Sequence, residues 1–142
     1  MRIRLPTFAT LALVVACTPA HRDRIDPEGT TFDDIAPEEV VKLVGTEPFW
    51  GLRVEGGEGL WTTPTNYPGT RFALTRFARN GGFGFTGMLD GQSFTATLTP
   101  GECNDGMSDR TFPYVATVAL GRSTLHGCGY TDSRPFTGDP PR

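Results

Sequence analysis

The segment from Phe83 to Thr99 constrains this chain more than any other. Phe83, Phe85, Gly87 and Leu89 alternate with Gly84, Thr86 and Met88. Past Asp90-Gly91 the alternation resumes, with Phe94, Ala96 and Leu98 set against Ser93, Thr95, Thr97 and Thr99. A period of two sends successive side chains to opposite faces, so each run is a strand with one apolar face. Asp-Gly is a two-residue connection in which both positions tolerate positive φ, and its twist suits an antiparallel hairpin. The middle of the chain is thereby committed to a hairpin that must bury one face.

The same grammar extends in both directions. Phe49 to Glu55 and Gly59 to Thr63 flank Gly56-Gly57, and Arg71 to Ala78 ends at Asn80-Gly81-Gly82. Tyr114 to Leu120 and Ser123 to Cys128 flank Gly121-Arg122, while Pro64, Asn66, Pro68 and Gly69 mark a loop. The content of 18 glycines and 12 prolines is what so many turns require. Residues 37–44 read two ways. Pro37, Glu38, Glu39 and Gly45 fit a helix with its start and stop, whereas Val40, Val41, Leu43 and Val44 fit a strand. About seven to eight short strands joined mostly by tight turns pair sequentially, so the expected fold is all-β. An up-and-down barrel or curled meander is favoured because closure removes exposed edges, with a sandwich as the alternative. A chain of 142 residues holds one such domain.

The amino terminus carries an address. Arg2 and Arg4 precede an apolar or small-residue run from Leu5 to Cys17, too short for a spanning helix but suited to a signal-peptide core. Val14-Val15-Ala16-Cys17 resembles a lipobox, which implies cleavage before Cys17 and lipidation there. Ordinary cleavage near Ala16 or Ala20 and an uncleaved anchor are the rival readings. The expected organisation is a leader over 1–16, a lipid-anchored tether over 17–35, a β domain over 36–130 and a mobile tail over 131–142. The protein is then expected in the bacterial cell envelope, facing the periplasm, with the membrane as a partner through its anchor. Three cysteines are an odd count, and with Cys17 lipidated, Cys103 and Cys128 remain to form one disulfide. The net charge of −3 becomes −5 when the leader takes away two arginines and no acid. No basic surface recommends a nucleic-acid partner.

Two strings stand out, Gly45-Thr46-Glu47-Pro48-Phe49-Trp50 and Cys103-Asn104-Asp105-Gly106-Met107-Ser108-Asp109-Arg110, the second followed by Phe112-Pro113-Tyr114. With Leu125-His126-Gly127-Cys128 they resemble an uncharacterised family of short bacterial envelope proteins and lipoproteins. Its members sit beside META-like domains and domains like the membrane-bound inhibitor of c-type lysozyme. The resemblance implies a small β domain of the envelope and lends no catalytic residue to any position. A non-catalytic binding or inhibitor-like module, engaging an envelope protein, is the leading expectation. The alternatives are a carrier of a small apolar ligand, lined by Phe72, Phe83, Phe85 and Phe94, and an envelope structural or stress lipoprotein.

Individual residues sharpen these expectations. Trp50 follows Pro48 into a strand and reads as a plug for one end of a barrel, its indole N–H then needing a buried acceptor. Arg110 or Arg53 is a candidate to stack over its ring. Asn104, Asp105, Met107, Ser108, Asp109 and Arg110 form a polar loop beside a cysteine. Its side chains either bond nearby backbone N–H groups or contact a partner. Glu102, Asp105 and Asp109 offer oxygen ligands but do not match a calcium loop, so no metal or cofactor is expected. Ser108 with an aspartate lacks a well-placed base, His126 being expected as a half-buried structural residue of a strand, so no enzyme is expected either.

Overall fold

The computed structural model describes residues 35–79 and 81–138; the expected leader, the expected lipidation at Cys17, the expected tether but for Ile35, and the last four residues of the expected tail lie outside them. Eight strands follow one another: β1 (Val41–Thr46), β2 (Phe49–Glu55), β3 (Glu58–Thr62), β4 (Thr70–Arg79), β5 (Gly82–Leu89), β6 (Gln92–Asn104), β7 (Thr111–Leu120) and β8 (Ser123–Thr131). Each pairs antiparallel with the next, and β1 pairs with β8, closing an up-and-down barrel. Closure rules out the sandwich. The central hairpin has the turn its sequence requires, with Asp90 at φ 50° and Gly91 at φ 77°.

Closure also decides the ambiguous segment. Pro37 to Glu39 make a turn and the valines that follow form β1, with Val41, Leu43 and Gly45 buried on alternate positions. A helix there would leave β2 and β8 as bare edges; as a strand the segment satisfies both neighbours.

Aromatic rings fill the barrel. Trp50, 5% exposed, stacks on Trp61 with centroids 5.3 Å apart, and Phe94 meets Trp61 edge-on at 5.6 Å and Phe72 at 4.9 Å. The phenylalanines proposed to line a ligand pocket thus pack against one another and against the tryptophans. The plug reading of Trp50 holds, but its surroundings differ from those expected. Its Nε1 is buried with no hydrogen-bond partner among the described residues, and its stacking partner is Trp61. Arg53 instead pairs with Glu55 at 2.6 Å. The indole lies over two glycines: a Cβ on Gly45 would fall 2.0 Å from Nε1, and one on Gly127 2.8 Å from Cζ2.

A strap closes the opposite end. Ile35, placed in the tether by its sequence context, is 2% exposed and belongs to the core. The Arg76 guanidinium donates to the Ile35 carbonyl at 2.7 Å and the Ala36 carbonyl at 3.0 Å, and lies 5.1 Å from the centre of the Phe83 ring. Burial lowers the Arg76 pKa, opposed by the charges of Glu39 and Glu38. Glu39 accepts the Ser133 N–H at 2.8 Å. Burial pushes the Glu39 pKa up, but its hydrogen bonds to Ser133 and Thr131 outweigh this and hold it below the ordinary value.

Two boundaries move. The irregular segment expected over Glu102 to Thr111 shrinks to 105–110, because β6 resumes pairing at Cys103 after a shift in register past Pro100. The tail expected to be mobile from 131 is fixed to the barrel as far as Gly138. Thr131 ends β8, and Thr137 exchanges two 2.9 Å backbone hydrogen bonds with Thr111. Tyr130 and Phe136 supply the apolar contact that such a return needs, their rings 5.1 Å apart.

Candidate functional site

The β6–β7 hairpin is folded back onto the barrel wall, and the disulfide holds it there. On β8, Gly127 and Gly129 approach interior side chains, so Cys128 between them faces outward, opposite Val44 of β1 and Val115 of β7. Cys103, at the end of β6, is bonded to it with a Cα–Cα distance of 5.6 Å. The cross-link therefore spans from β6 to β8 across the outside of β7. Beyond it, the Thr46 hydroxyl on β1 donates to the Asp105 carbonyl at 2.9 Å. Closing a loop of 25 residues stabilises a fold by roughly 3–4 kcal/mol on the chain-entropy estimate.

Within the hairpin tip most polar side chains are spent on the backbone. One Asp105 carboxylate oxygen accepts the N–H groups of Met107 and Ser108 at 3.0 and 2.8 Å, and the Ser108 hydroxyl lies within 3.0 Å of both oxygens. The Asn104 side chain accepts the Gly106 N–H at 2.7 Å and donates to the Arg110 carbonyl at 3.2 Å. Gly106 takes φ 73°, which the turn requires. Partial burial raises the Asp105 pKa. The N–H donors of Met107 and Ser108, the Ser108 hydroxyl and the Arg110 charge together more than reverse this, leaving the carboxyl below its usual range. Of the six residues singled out for partner contact, Asn104, Asp105 and Ser108 thus shape the turn. Met107 and Asp109 face solvent, and Arg110 turns along the wall. The Ser108 hydroxyl donates to Asp105 and accepts the Arg110 N–H at 3.3 Å. His126 is exposed on β8 rather than half-buried, because its position, like that of Cys128, faces outward.

Arg110 does not reach Trp50 as anticipated. Its guanidinium lies 4.2 Å from the centre of the Phe136 ring, above a cluster in which Phe136 meets Phe112 at 5.4 Å and Tyr130 at 5.1 Å. Arg110 forms no ion pair among the described residues, and its Nε is buried without a hydrogen-bond partner. An unpaired buried donor costs about 1–3 kcal/mol.

Two clefts flank the tip. One, of about 360 Å³, is bounded by Phe49, Thr62, Arg110, Phe112 and Tyr130, with the bare backbone of Gly51 among its lining. The other, of about 560 Å³, has the Cys103–Cys128 disulfide in its wall and Met107, Val115, His126 and Glu47 around it. Thr46 and Asp105 border both, so their hydrogen bond is the partition. Among the described residues no three His, Cys, Asp or Glu side chains converge as a metal ligand set.

Sequence reasoning reached the partition and missed the clefts. In the sequence Phe49 is overshadowed by its neighbour Trp50, Tyr130 lies at the last position of the expected domain, and Phe136 falls in the tail expected to be mobile. A single aromatic residue, Phe136, in an otherwise polar terminus is the available signal. Comparisons with protein-family models, curated proteins and solved structures give no match for this chain.

Proposed function

We propose that this protein is a non-catalytic binding module of the bacterial cell envelope, anchored by lipid at Cys17, that holds a protein partner against its stapled hairpin. One observation carries the reading. Five large apolar side chains are exposed among the described residues, and three of them border the two clefts: Phe49 at 51%, Met107 at 65% and Val115 at 42%. Single exposed hydrophobics are ordinary, whereas their gathering around one rigid projection is a feature of contact surfaces. The disulfide, the Thr46 bond and the Asp105 turn already order the hairpin, so little entropy remains to be lost on binding. Exposed Glu47 and Asp109 flank this surface. With the acidic balance of the mature chain they suit a basic partner, since opposite charges speed encounter. An envelope-directed c-type lysozyme has that chemistry, and the resemblance to proteins found near lysozyme-inhibitor domains supports the same choice.

The test is calorimetric titration of the protein with c-type lysozyme, alongside a lysozyme activity assay. Saturable binding is expected, weakened about tenfold or more by the paired change Met107→Asp and Val115→Asp, with thermal unfolding unchanged. Absence of binding eliminates lysozyme as the partner. Binding that ignores the paired change moves the contact away from the hairpin and overturns the proposal.

A further inference from the structure

The smaller cleft has a chemistry of its own, independent of protein capture. At about 360 Å³ it lies at the low end of small-molecule sites and has room for a single small ligand. Phe49, Phe112 and Tyr130 present apolar surface to it. Its threonine hydroxyls are already committed: Thr46 to the Asp105 carbonyl, Thr62 to the Gly51 carbonyl at 3.3 Å, and Thr63 to Asn66 at 3.1 Å. Asp105 is occupied by its turn. Arg110 is the charged donor of this lining that forms no ion pair among the described residues. A guanidinium has five N–H donors and no acceptor; this one is braced from behind by the Phe136 ring, its Nε is buried, and its terminal nitrogens have no carboxylate paired to them among the described residues. What the cleft lacks is therefore an acceptor, and the group that matches a guanidinium fork is a planar oxyanion.

We infer that this cleft binds a monocarboxylate carried on a small apolar, preferably aromatic, body, with the carboxylate on Arg110 and the body between Phe49 and Tyr130. Asp105 favours the single charge. Ionised and close enough to Arg110 for their charges to interact, it offsets part of the positive field and disfavours a phosphate dianion. The carboxylate belongs either to a free acid or to the C-terminus of a peptide, and both present the same atoms to Arg110.

The experiment uses the purified protein and follows tryptophan emission, since Trp50 borders the cleft and stacks on Trp61, with calorimetry as a second readout. The probes are 3-phenylpropionate, its uncharged amide, inorganic phosphate, and the tripeptide Gly-Gly-Phe with a free or an amidated C-terminus. Saturable binding of 3-phenylpropionate is expected, with the amide and phosphate each weaker by about tenfold or more. If Gly-Gly-Phe binds tighter than the free acid and its amide does not, a peptide terminus is the source; the reverse order assigns a free acid. Arg110→Gln should abolish the preference for acid over amide. Because that change also removes the ring contact with Phe136, Phe49→Ala serves as a second variant at an exposed position. It should weaken 3-phenylpropionate several-fold and leave the unfolding temperature unchanged. Equal binding of acid and amide by the unaltered protein overturns the inference, as does undiminished acid binding by folded Arg110→Gln. Met107→Asp with Val115→Asp lies in the other cleft and should not affect these probes, so failure here and failure of protein capture are separable.

Discussion

Gly45→Ala tests the packing that closes the barrel around Trp50. Gly45 does not have positive φ, so its backbone conformation suits alanine. In the absence of any contact, replacing glycine would stabilise the fold by about 0.4–1 kcal/mol through the unfolded chain. The contacts predict the opposite sign. A methyl at this position would lie 2.0 Å from Nε1, 2.3 Å from Cε2 and 2.7 Å from Cδ1 of the Trp50 indole. The indole has little room to withdraw, with Trp61 stacked on it and Gly127 beneath its far edge. Overpacking of a filled core costs about 1–3 kcal/mol, and a clash this deep belongs in the upper half. For a domain near 100 residues, about 2–3 kcal/mol lowers the unfolding temperature by roughly 10–20 °C. Thermal unfolding followed by circular dichroism measures it, with two comparisons. Gly101→Ala, whose new methyl would meet only Val115 at 3.7 Å, should be neutral or stabilising. Gly45→Ala combined with Trp50→Phe should cost less than the sum of the two single changes, because the smaller ring makes room. An unfolding temperature for Gly45→Ala at or above that of the unaltered protein would refute the reasoning.

Three further outcomes are expected. Replacing Cys103 and Cys128 together by serine should lower stability by roughly 3–4 kcal/mol in urea titration and free the 105–110 tip to exchange its amides; an unchanged midpoint would count against the staple. Asp105 has a lowered pKa in the folded state, so its contribution is complete above the free-carboxylate value of about 3.9 and is lost as pH falls through the lower folded value. The unaltered protein should then lose more stability than Asp105→Asn between about pH 4 and pH 2, and parallel curves would contradict the assignment. Cys17→Ser should abolish fatty-acid labelling in cells, and normal labelling of that variant would remove the lipid anchor from the proposal.

Most of the barrel was legible because its information is local. Alternation from Phe83 to Leu98, the Asp90-Gly91 turn and the Gly56-Gly57 and Gly121-Arg122 punctuations each specify a strand pair within twenty residues, and the barrel realises all of them. The segment over 37–44 was not legible for the complementary reason. Its composition serves helix and strand equally, and the choice falls to β8, more than eighty residues away, which needs a partner for its second edge. The return of Phe136 to Phe112 and Tyr130 is likewise a contact outside the barrel wall, invisible to any reading of strand periodicity.

The clefts required a further step that residue types alone do not supply. An odd cysteine count, with Cys17 set aside by its resemblance to a lipobox, pairs Cys103 with Cys128, and the barrel carries that disulfide. Where the hairpin then goes depends on parity: Cys128 lies between two glycines that approach the interior, so its sulfur must face outward and draws the end of β6 over the wall. That placement brings Arg110 to the wall that Phe49, Thr62 and Tyr130 line, although these residues come from three different strands. The polar residues nearest the cysteine are dense, and density is what an Asx-type turn needs in order to satisfy its own backbone. Asp105 illustrates the consequence. Its carboxylate is consumed by Met107 and Ser108, and what it offers the surrounding surface is a fixed charge and a carbonyl that holds Thr46. Binding chemistry then falls to the neighbours that the turn leaves unsatisfied, and Arg110 is the residue in which that deficit is greatest.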